Sequence, residues 1–349
     1  MISIIGSGPA GAYLAYLLAK EGFEINVFEE HKEIGKPVQC AGIITSSVND
    51  IISIPKDIVL NKINIFRVYY KNKFVDFPVK ANLVIDRAKF DQYLFSLAKK
   101  EGANFMLGHK YLNFNKNKVK TNKGIFNTDI LVGADGPFSP VAKTNGLYFK
   151  RKFVHGIQAR VKGRFNPNIV EIHLDKGQFG WIIPESNSIV RAGVIGNKAL
   201  VLQFKKLIGK KKIIEYQSGA IPIYDYRQKL RNKNVYLIGD AAGMVKATTY
   251  GGVIYGLMAA QELAQAIKLN KNYFRLCRKR FSKELWLSLM IRKVLNRFDE
   301  KDYQDLINIL SDKKVKELLE KYDRDYPVKL LLKIVLIKPR ILRFIFKVL

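Results

Sequence analysis

The feature that most constrains this chain lies at its start. Ile4-Ile5-Gly6-Ser7-Gly8-Pro9-Ala10-Gly11 places three glycines in the pattern G-x-G-x-x-G directly after a short β-branched run. A helical pattern follows over Ala12 to Lys20, with Leu14, Leu17 and Leu18 as its expected buried stripe and Gly22 just past its end. Ile25-Asn26-Val27-Phe28 then reads as a second strand that ends at Glu29. Strand, glycine turn, helix, strand and terminal acid together predict a dinucleotide cradle. Gly6 allows the tight turn, Gly8 lets the backbone approach a pyrophosphate, and Gly11 lets the helix pack close to the strand. Ala10 sits at the helix N-terminus, where free N–H groups and the positive dipole end attract phosphate. Glu29 follows Gly11 at close to the ~20-residue spacing expected of a ribose-binding acid, with Glu30 beside it as a competitor. This motif by itself does not separate FAD from NAD.

Two further strand-and-turn segments bear on the cofactor. Asp129-Ile130-Leu131-Val132-Gly133-Ala134-Asp135-Gly136 runs an apolar strand into a small-residue turn carrying an acid. Asn234-Val235-Tyr236-Leu237-Ile238-Gly239-Asp240-Ala241-Ala242-Gly243 does so again, and Gly251-Gly252-Val253-Ile254 then opens a long helical pattern ending near Ile267. Between them and the first motif, Arg87 precedes a helix whose expected buried face is Phe90, Leu94, Leu97 and Ala98. In this order the segments resemble the later fingerprints of the para-hydroxybenzoate hydroxylase-like flavoproteins. That resemblance implies FAD as cofactor. It places Gly239 and Asp240 beside the ribityl chain or pyrophosphate, and Arg87 at the phosphates. Gly252 and Val253 would open a helix whose N-terminus faces the isoalloxazine, where the dipole stabilises negative charge on a reduced flavin. Asp135 is expected to brace its own turn.

Three stretches point more narrowly. Glu33-Ile34-Gly35-Lys36-Pro37-Val38-Gln39-Cys40-Ala41-Gly42, Gly177-Gln178-Phe179-Gly180-Trp181-Ile182-Ile183-Pro184 and Val245-Lys246-Ala247-Thr248-Thr249-Tyr250-Gly251-Gly252 resemble signatures of the geranylgeranyl reductase family, archaeal digeranylgeranylglycerophospholipid reductases included. The resemblance runs over roughly residues 1–265. It implies an FAD-dependent oxidoreductase acting on CH–CH groups, which saturates isoprenoid C=C bonds of a geranylgeranyl lipid or prenyl diphosphate. Cys40, Ala41 and Gly42 would lie at the flavin, with Cys40 either a proton donor or a packing residue and Tyr250 a second donor candidate. Phe179, Trp181 and Pro184 would wall the substrate channel. Phe179 stands where the family usually has Tyr, Ile183 where it has Phe, and Tyr250 where many members have Gly. These departures bear on the pocket's shape, not on the flavin. A monooxygenase or halogenase on the same fold is the alternative, and the Cys-Ala-Gly loop and the tryptophan signature argue against it. No second nucleotide cradle is visible, which decides little about the electron donor; NAD(P)H and a ferredoxin-like protein both stay open.

The expected fold class is α/β: a Rossmann-like FAD-binding domain with an inserted mixed β-sheet substrate domain and a C-terminal helical region. The boundaries read from the chain are 1–60, 83–148 and 228–267 for the first, 61–82 and 149–227 for the second, and 268–349 for the third. Ile63 to Phe77 reads as two strands turning at Lys71-Asn72-Lys73. Four more are expected at Ile157–Val161, Val170–Leu174, Trp181–Ile183 and Ile189–Ile195.

Composition narrows the setting. The 60 basic and 30 acidic residues leave a net charge of +30, which favours encounters with anionic partners. No basic helix with interleaved aromatics suggests a nucleic-acid module. Two cysteines, Cys40 and Cys277, do not make a disulfide framework and fit a reducing compartment. The four histidines show no metal-ligand spacing, so no metal is expected. Neither a signal peptide nor a spanning apolar run is read, so a cytoplasmic protein is expected. The tail 328–349 carries six basic residues (Lys329, Lys333, Lys338, Arg340, Arg343, Lys347), no acid, and Pro339 as a divider. It reads as an interfacial amphipathic segment that holds the protein peripherally on a membrane surface.

Overall fold

A computed structural model describes residues 1–347, which divide into two compact units. The first unit comprises Met1–Val38, Arg87–Phe153 and Ile221–Trp286. The second comprises Gln39–Asp86, Val154–Ala220 and the chain from Leu287 onward.

The first unit is built on a six-stranded sheet in the order Arg231–Asn232, Val235–Leu237, Ile130–Gly133, Ile2–Ile5, Ile25–Glu29, Asn104–Leu107. All neighbours pair in parallel except the first two. Ile2–Ile5 is apolar almost throughout because its sheet is covered on both faces, and all four residues are buried. The helix Pro9–Lys20 starts with Pro at its first position, where no N–H is needed. It buries Gly11, Ala12, Leu14, Ala15, Leu18 and Ala19; Leu17, expected in that stripe, is only half-buried. Small residues on this face let it pack close. The helix Arg87–Lys100 buries Phe90, Asp91, Leu94 and Ala98, with Leu97 half-buried. A three-stranded antiparallel meander, Tyr111–Asn115, Lys118–Thr121 and Gly124–Asn127, is absent from the sequence reading. Its strands are rich in Lys and Asn and bury only Tyr111, Val119 and Thr121, too few apolar positions to mark three strands in the chain. The tight turn Lys116-Asn117, with φ of 47° and 58°, makes its first hairpin.

The second unit is an eight-stranded sheet in the order Lys212–Pro222, Phe153–Lys162, Ile189–Gly196, Gln178–Pro184, Ile169–Asp175, Val59–Tyr70, Lys73–Ile85, Ile43–Thr45. The pair Ile169–Asp175 with Val59–Tyr70 is parallel, which makes the sheet mixed. The four expected strands are present and longer than read. Ile43–Thr45 pairs with Asn82–Val84. Those ladder bonds carry residues 39–60 into the second unit, whereas the sequence reading places them with the dinucleotide domain. The helix Leu200–Ile208 covers one sheet face by packing Phe204 and Ile208 on Ala159, Val161, Val190, Ala192 and Val194. The expected C-terminal helices are present, and the chain passes from the first unit to the second among them, at residues 286–287.

Pro339 divides the tail as expected, into a helix Pro327–Ile337 and a 3₁₀ segment Pro339–Lys347. The end of the expected tail, residues 348–349, lies outside the described residues. The 3₁₀ segment is fastened to its own unit. Lys338 pairs with Asp312 at 2.6 Å, Arg343 with Asp305, and Lys347 with Asp299 at 2.9 Å and with Asp302. Asp299 and Asp302 form the capping box of the helix Glu300–Ser311, so Lys347 sits on acids already held in place. Phe344 is buried against Phe298 and Tyr303, a contribution of about 2 kcal/mol. On the preceding helix Leu332 and Leu336 stay exposed, and Lys329 and Lys333 lie over Tyr322. Among the described residues no helix is long and apolar enough to cross a membrane.

Candidate functional site

Gly6, Gly8, Ala10, Gly11, Glu29, Arg87, Gly239, Asp240, Tyr250, Gly252 and Val253 fall in the first unit. Cys40, Ala41, Gly42, Phe179, Trp181 and Pro184 fall in the second.

In the first unit the glycine turn is crowded on its inner side and open on its outer one. Gly6 has φ of +97°, and a Cβ there would lie 2.4 Å from Ala134 O. A Cβ at Gly11 would lie 2.1 Å from Gly6 O. At Gly8 a Cβ would meet nothing within 4 Å. Space is therefore held open where a pyrophosphate would approach the backbone. The first N–H groups of the helix have no intrahelical partner, which suits an anion. Ser7 Oγ is buried with no hydrogen-bond partner. Glu29 closes the turn: one carboxylate oxygen accepts from Ser7 N–H at 2.8 Å, the other from His31 N–H at 3.0 Å. These residues fit a dinucleotide: an open backbone cradle, an idle hydroxyl and an acid at the strand end.

The third fingerprint packs directly on the first. A Cβ at Gly239 or Gly256 would come within 3.1 or 3.2 Å of Ala10 Cβ, so the helix Val253–Lys268 lies close against Pro9–Lys20. Gly252 caps that helix, and a Cβ on it would lie 2.8 Å from an Asp240 carboxylate oxygen. Asp240 therefore sits at a helix N-terminus, where negative charge is favoured. Burial raises its pKa, and Arg87 and Arg151 act against that rise. Arg87 is also paired with Asp91 at 3.1 Å. Tyr250 has φ of +55°, the left-handed region that favours glycine. Arg151, which the sequence reading did not single out, joins the second and third fingerprints. It donates to Pro137 O at 2.9 Å, to Ala241 O and to Gln228 Oε1 at 3.3 Å, while stacking on Tyr148. Nothing local marks it, because its partners, two backbone carbonyls and a glutamine side chain, are distant in sequence.

Asp135 braces its turn, accepting from Ser139 Oγ at 2.7 Å and from Val141 N–H at 2.8 Å. Burial nonetheless pushes its pKa up to about 6. A carboxyl raised above its ordinary value favours the protonated fold. Its contribution is complete below about pH 4 and is lost as pH rises through about 6. Asp135→Asn keeps an acceptor and removes that dependence. Denaturant unfolding of the two proteins should agree near pH 4 and diverge to roughly 2–3 kcal/mol in favour of the asparagine variant near pH 7. A difference independent of pH would refute this assignment.

In the second unit every carbonyl of the Cys-Ala-Gly loop is held. Cys40 O accepts from Gln158 Nε2 at 2.9 Å, Ala41 O from Arg191 Nη1 at 2.9 Å, and Gly42 O from Ile85 N–H at 2.8 Å. Gly42 must be glycine, since its φ is +67° and a Cβ would lie 2.8 Å from Ile85 O. Cys40 Sγ, half-buried, accepts from Gly42 N–H at 3.3 Å. Behind the loop lies a polar row across three strands, with Gly193 in register with both Gln158 and Trp181. A Cβ on Gly193 would lie 2.3 Å from the Trp181 ring. Its absence lets the indole lie flat across the strand and donate from Nε1 to Gln158 Oε1 at 3.3 Å. In the next row Arg191 donates from Nε to Glu185 at 2.7 Å and from Nη2 to Ile85 O at 3.0 Å. Arg160 takes the other side of Glu185 at 2.8 Å. Burial works against ionisation of Glu185, but the two arginines outweigh it and hold its pKa below the usual value.

Phe179 and Trp181 share one face of their strand, with rings 6.1 Å apart. Pro184 is an odd number of residues from both, so the pleat turns it to the other face. The expected three-residue wall is thus split. Gln158, Glu185, Arg191 and Gly193 are not singled out by the sequence. The available signal is an arginine between Val190 and Ala192 in an apolar strand, because arginine is rarely buried unpaired.

Residues 4–40 match a family model described as an NAD(P)-binding Rossmann-like domain. An uncharacterized protein of Methanocaldococcus jannaschii is 28% identical over 95% of this chain and 94% of its own length. A digeranylgeranylglycerophospholipid reductase of the same organism is 25% identical over 89% of this chain and 90% of its own. Among solved structures, a geranylgeranyl bacteriochlorophyll reductase-like protein of Thermoplasma acidophilum superposes with a TM-score of 0.86. It is 19% identical, and the match covers 100% of this chain and 98% of that one.

Proposed function

The chain belongs to the geranylgeranyl reductase family, and from that premise we propose that it saturates isoprenoid C=C bonds of a geranylgeranyl lipid or a prenyl diphosphate. It is an FAD-dependent oxidoreductase. The observation that carries the finer reading is the anchored Cys-Ala-Gly loop, whose three carbonyls are each held by a separate donor. When bound, reduced FAD supplies hydride. An isolated trisubstituted alkene also needs a proton, because hydride alone would leave an unstabilised carbanion. Reduction of one bond therefore consumes one hydride and one proton. Gly6, Gly8, Ala10 and Gly11 would hold the pyrophosphate, Glu29 the ribose, and Asp240 with Arg87 the region beyond. Gly252 and Val253 would present a helix N-terminus to the ring system. Cys40 is the proposed proton donor, held by its loop, and Tyr250 is the second candidate. Phe179 and Trp181 would exclude water from an apolar chain. The reducing equivalents come from NAD(P)H or a ferredoxin-like protein, and a lipid substrate makes work at a membrane surface part of this reading.

The test is anaerobic. Protein reduced with dithionite and given a geranylgeranylated phospholipid should regain its oxidised flavin spectrum, and the lipid should gain two hydrogens per reduced bond. In the same assay Cys40→Ala should bind FAD normally and reoxidise at least ~10²-fold more slowly, the scale of general acid catalysis. Reoxidation only on admitting air, with a hydroxylated or halogenated product, would replace this reading by the monooxygenase or halogenase one. An unchanged rate for Cys40→Ala would reduce Cys40 to a packing residue.

A further inference from the structure

The second unit carries a surface that the proposed reaction does not use. The helix Leu200–Ile208 buries Phe204 and Ile208 and turns Val201 and Leu202 outward, each 57% exposed. One turn further on, at i+4 from each, come the exposed Lys205 and Lys206. Lys210, Lys211 and Lys212 follow at once, and Lys198 precedes the helix, all exposed. Tyr216, 66% exposed, lies beside the helix with its ring 6.2 Å from that of Phe204. Among the described residues none of these six lysines has a carboxylate within ion-pair distance. The acids nearby are engaged elsewhere: Glu215 accepts from Gln217 and lies 3.8 Å from Arg160, and Asp175 accepts from Gln203 and Gln178.

We propose that this corner, Val201, Leu202 and Tyr216 ringed by Lys198, Lys205, Lys206 and Lys210–Lys212, is the surface by which the protein docks on an anionic phospholipid bilayer. Charge complementarity selects the occupant. Six ammonium groups with no carboxylate partner among the described residues, one of them (Lys211) donating to the carbonyl of Ile208, match a layer of phosphate headgroups, and their flexible stems let the charges stay at headgroup level while the aliphatic tips enter below. An acidic protein would satisfy the lysines but would give no reason for two adjacent aliphatic side chains to stand outward on a short helix. The tail, where composition alone would put this contact, has Lys338, Arg343 and Lys347 committed to acids of its own unit. The proposal deepens the lipid-substrate reading by naming the membrane contact. Binding is scored without turnover, so the two can fail separately.

The experiment is co-sedimentation of the full-length holoprotein with vesicles of phosphatidylcholine alone and of phosphatidylcholine with about 30% phosphatidylglycerol. Binding is expected only to the anionic vesicles. The pairs Val201→Ser/Leu202→Ser and Lys205→Glu/Lys206→Glu should each weaken it by about ten-fold or more. Lys210→Glu/Lys212→Glu, beyond the helix end, should act like the other lysine pair, and it spares Lys211, whose ammonium donates to Ile208 O at the helix end. Leu332→Ser/Leu336→Ser, on the outer stripe of Pro327–Ile337, should cost less than about two-fold. Flavin content and melting temperature establish that each variant is folded. Wild-type binding by Val201→Ser/Leu202→Ser would overturn the proposal. So would weakening by the charge reversals alone, which would mark the corner as an electrostatic site for an acidic macromolecule.

Discussion

Gly8→Val should purify as a folded protein that has lost at least ~90% of its flavin, because the side chain would occupy the space the pyrophosphate needs. Two glycines of one turn differ in what surrounds them. A Cβ at Gly8 meets no protein atom within 4 Å, while at Gly11 it would meet Gly6 O at 2.1 Å. Only Gly8 is thus glycine for the ligand's sake, and Gly11 is glycine for the fold's. Gly11→Ala should destabilise the protein itself by about 1–3 kcal/mol, the usual cost of overpacking. The check is the ratio of flavin to protein absorbance, together with thermal unfolding of each variant after the flavin is stripped. Stripping removes the stabilisation that any bound ligand adds. Stripped Gly8→Val should melt within a few degrees of stripped wild type, and stripped Gly11→Ala clearly below it. Stoichiometric FAD in Gly8→Val would mean that the cradle does not hold the pyrophosphate.

Arg191→Met should cost about 3–5 kcal/mol, the penalty for removing one partner of a buried pair. Arg191 and Glu185 are only 6% and 7% exposed at their side chains, so solvent does little to screen the loss. The substitution takes one of the two arginines from Glu185 and also strips donors from Ala41 O and Ile85 O. The sign with pH is defined. Glu185 is held below the usual carboxyl range, so its stabilisation is present above the ordinary value. It is lost as pH falls through the lowered one. The gap between wild type and Arg191→Met should therefore narrow in acid. The double variant Arg191→Met/Glu185→Leu should recover at least half the loss, since replacing a buried pair by apolar residues is often neutral. Equal destabilisation of single and double variants would show that the arginine acts by packing alone. Because Ala41 is held by Arg191, the single variant should also loosen the Cys40 loop, read as faster hydrogen exchange at Cys40–Gly42.

How much of this is legible in the chain depends on the range of the interaction. The cradle is readable because its requirements are local: a turn that tolerates only glycine, a strand before it, a helix after it and an acid at the next strand's end. The hairpin over Ile63–Phe77 and the four central strands are readable because β-branched residues recur and turns interrupt them. The meander at residues 111–127 escapes because few of its side chains are buried, and a solvated sheet carries too few apolar residues to stand out.

The sequence by itself determined the opening strand, its glycine turn, the order of the three fingerprints and the division of the tail at Pro339, since each is written in residues a few positions apart. Only the tertiary structure decided that residues 39–60 fall in the second unit, and that Gln158 and Arg191, the latter paired with Glu185, hold the Cys-Ala-Gly loop. It also decided that Arg151 ties two fingerprints, and that the tail's charges are partly consumed by Asp299, Asp302, Asp305 and Asp312. The physical reason is common to them all. Hydrogen bonds and ion pairs between groups tens to hundreds of residues apart leave no periodicity in the chain, and their partners are chosen only when the strands and helices come to rest.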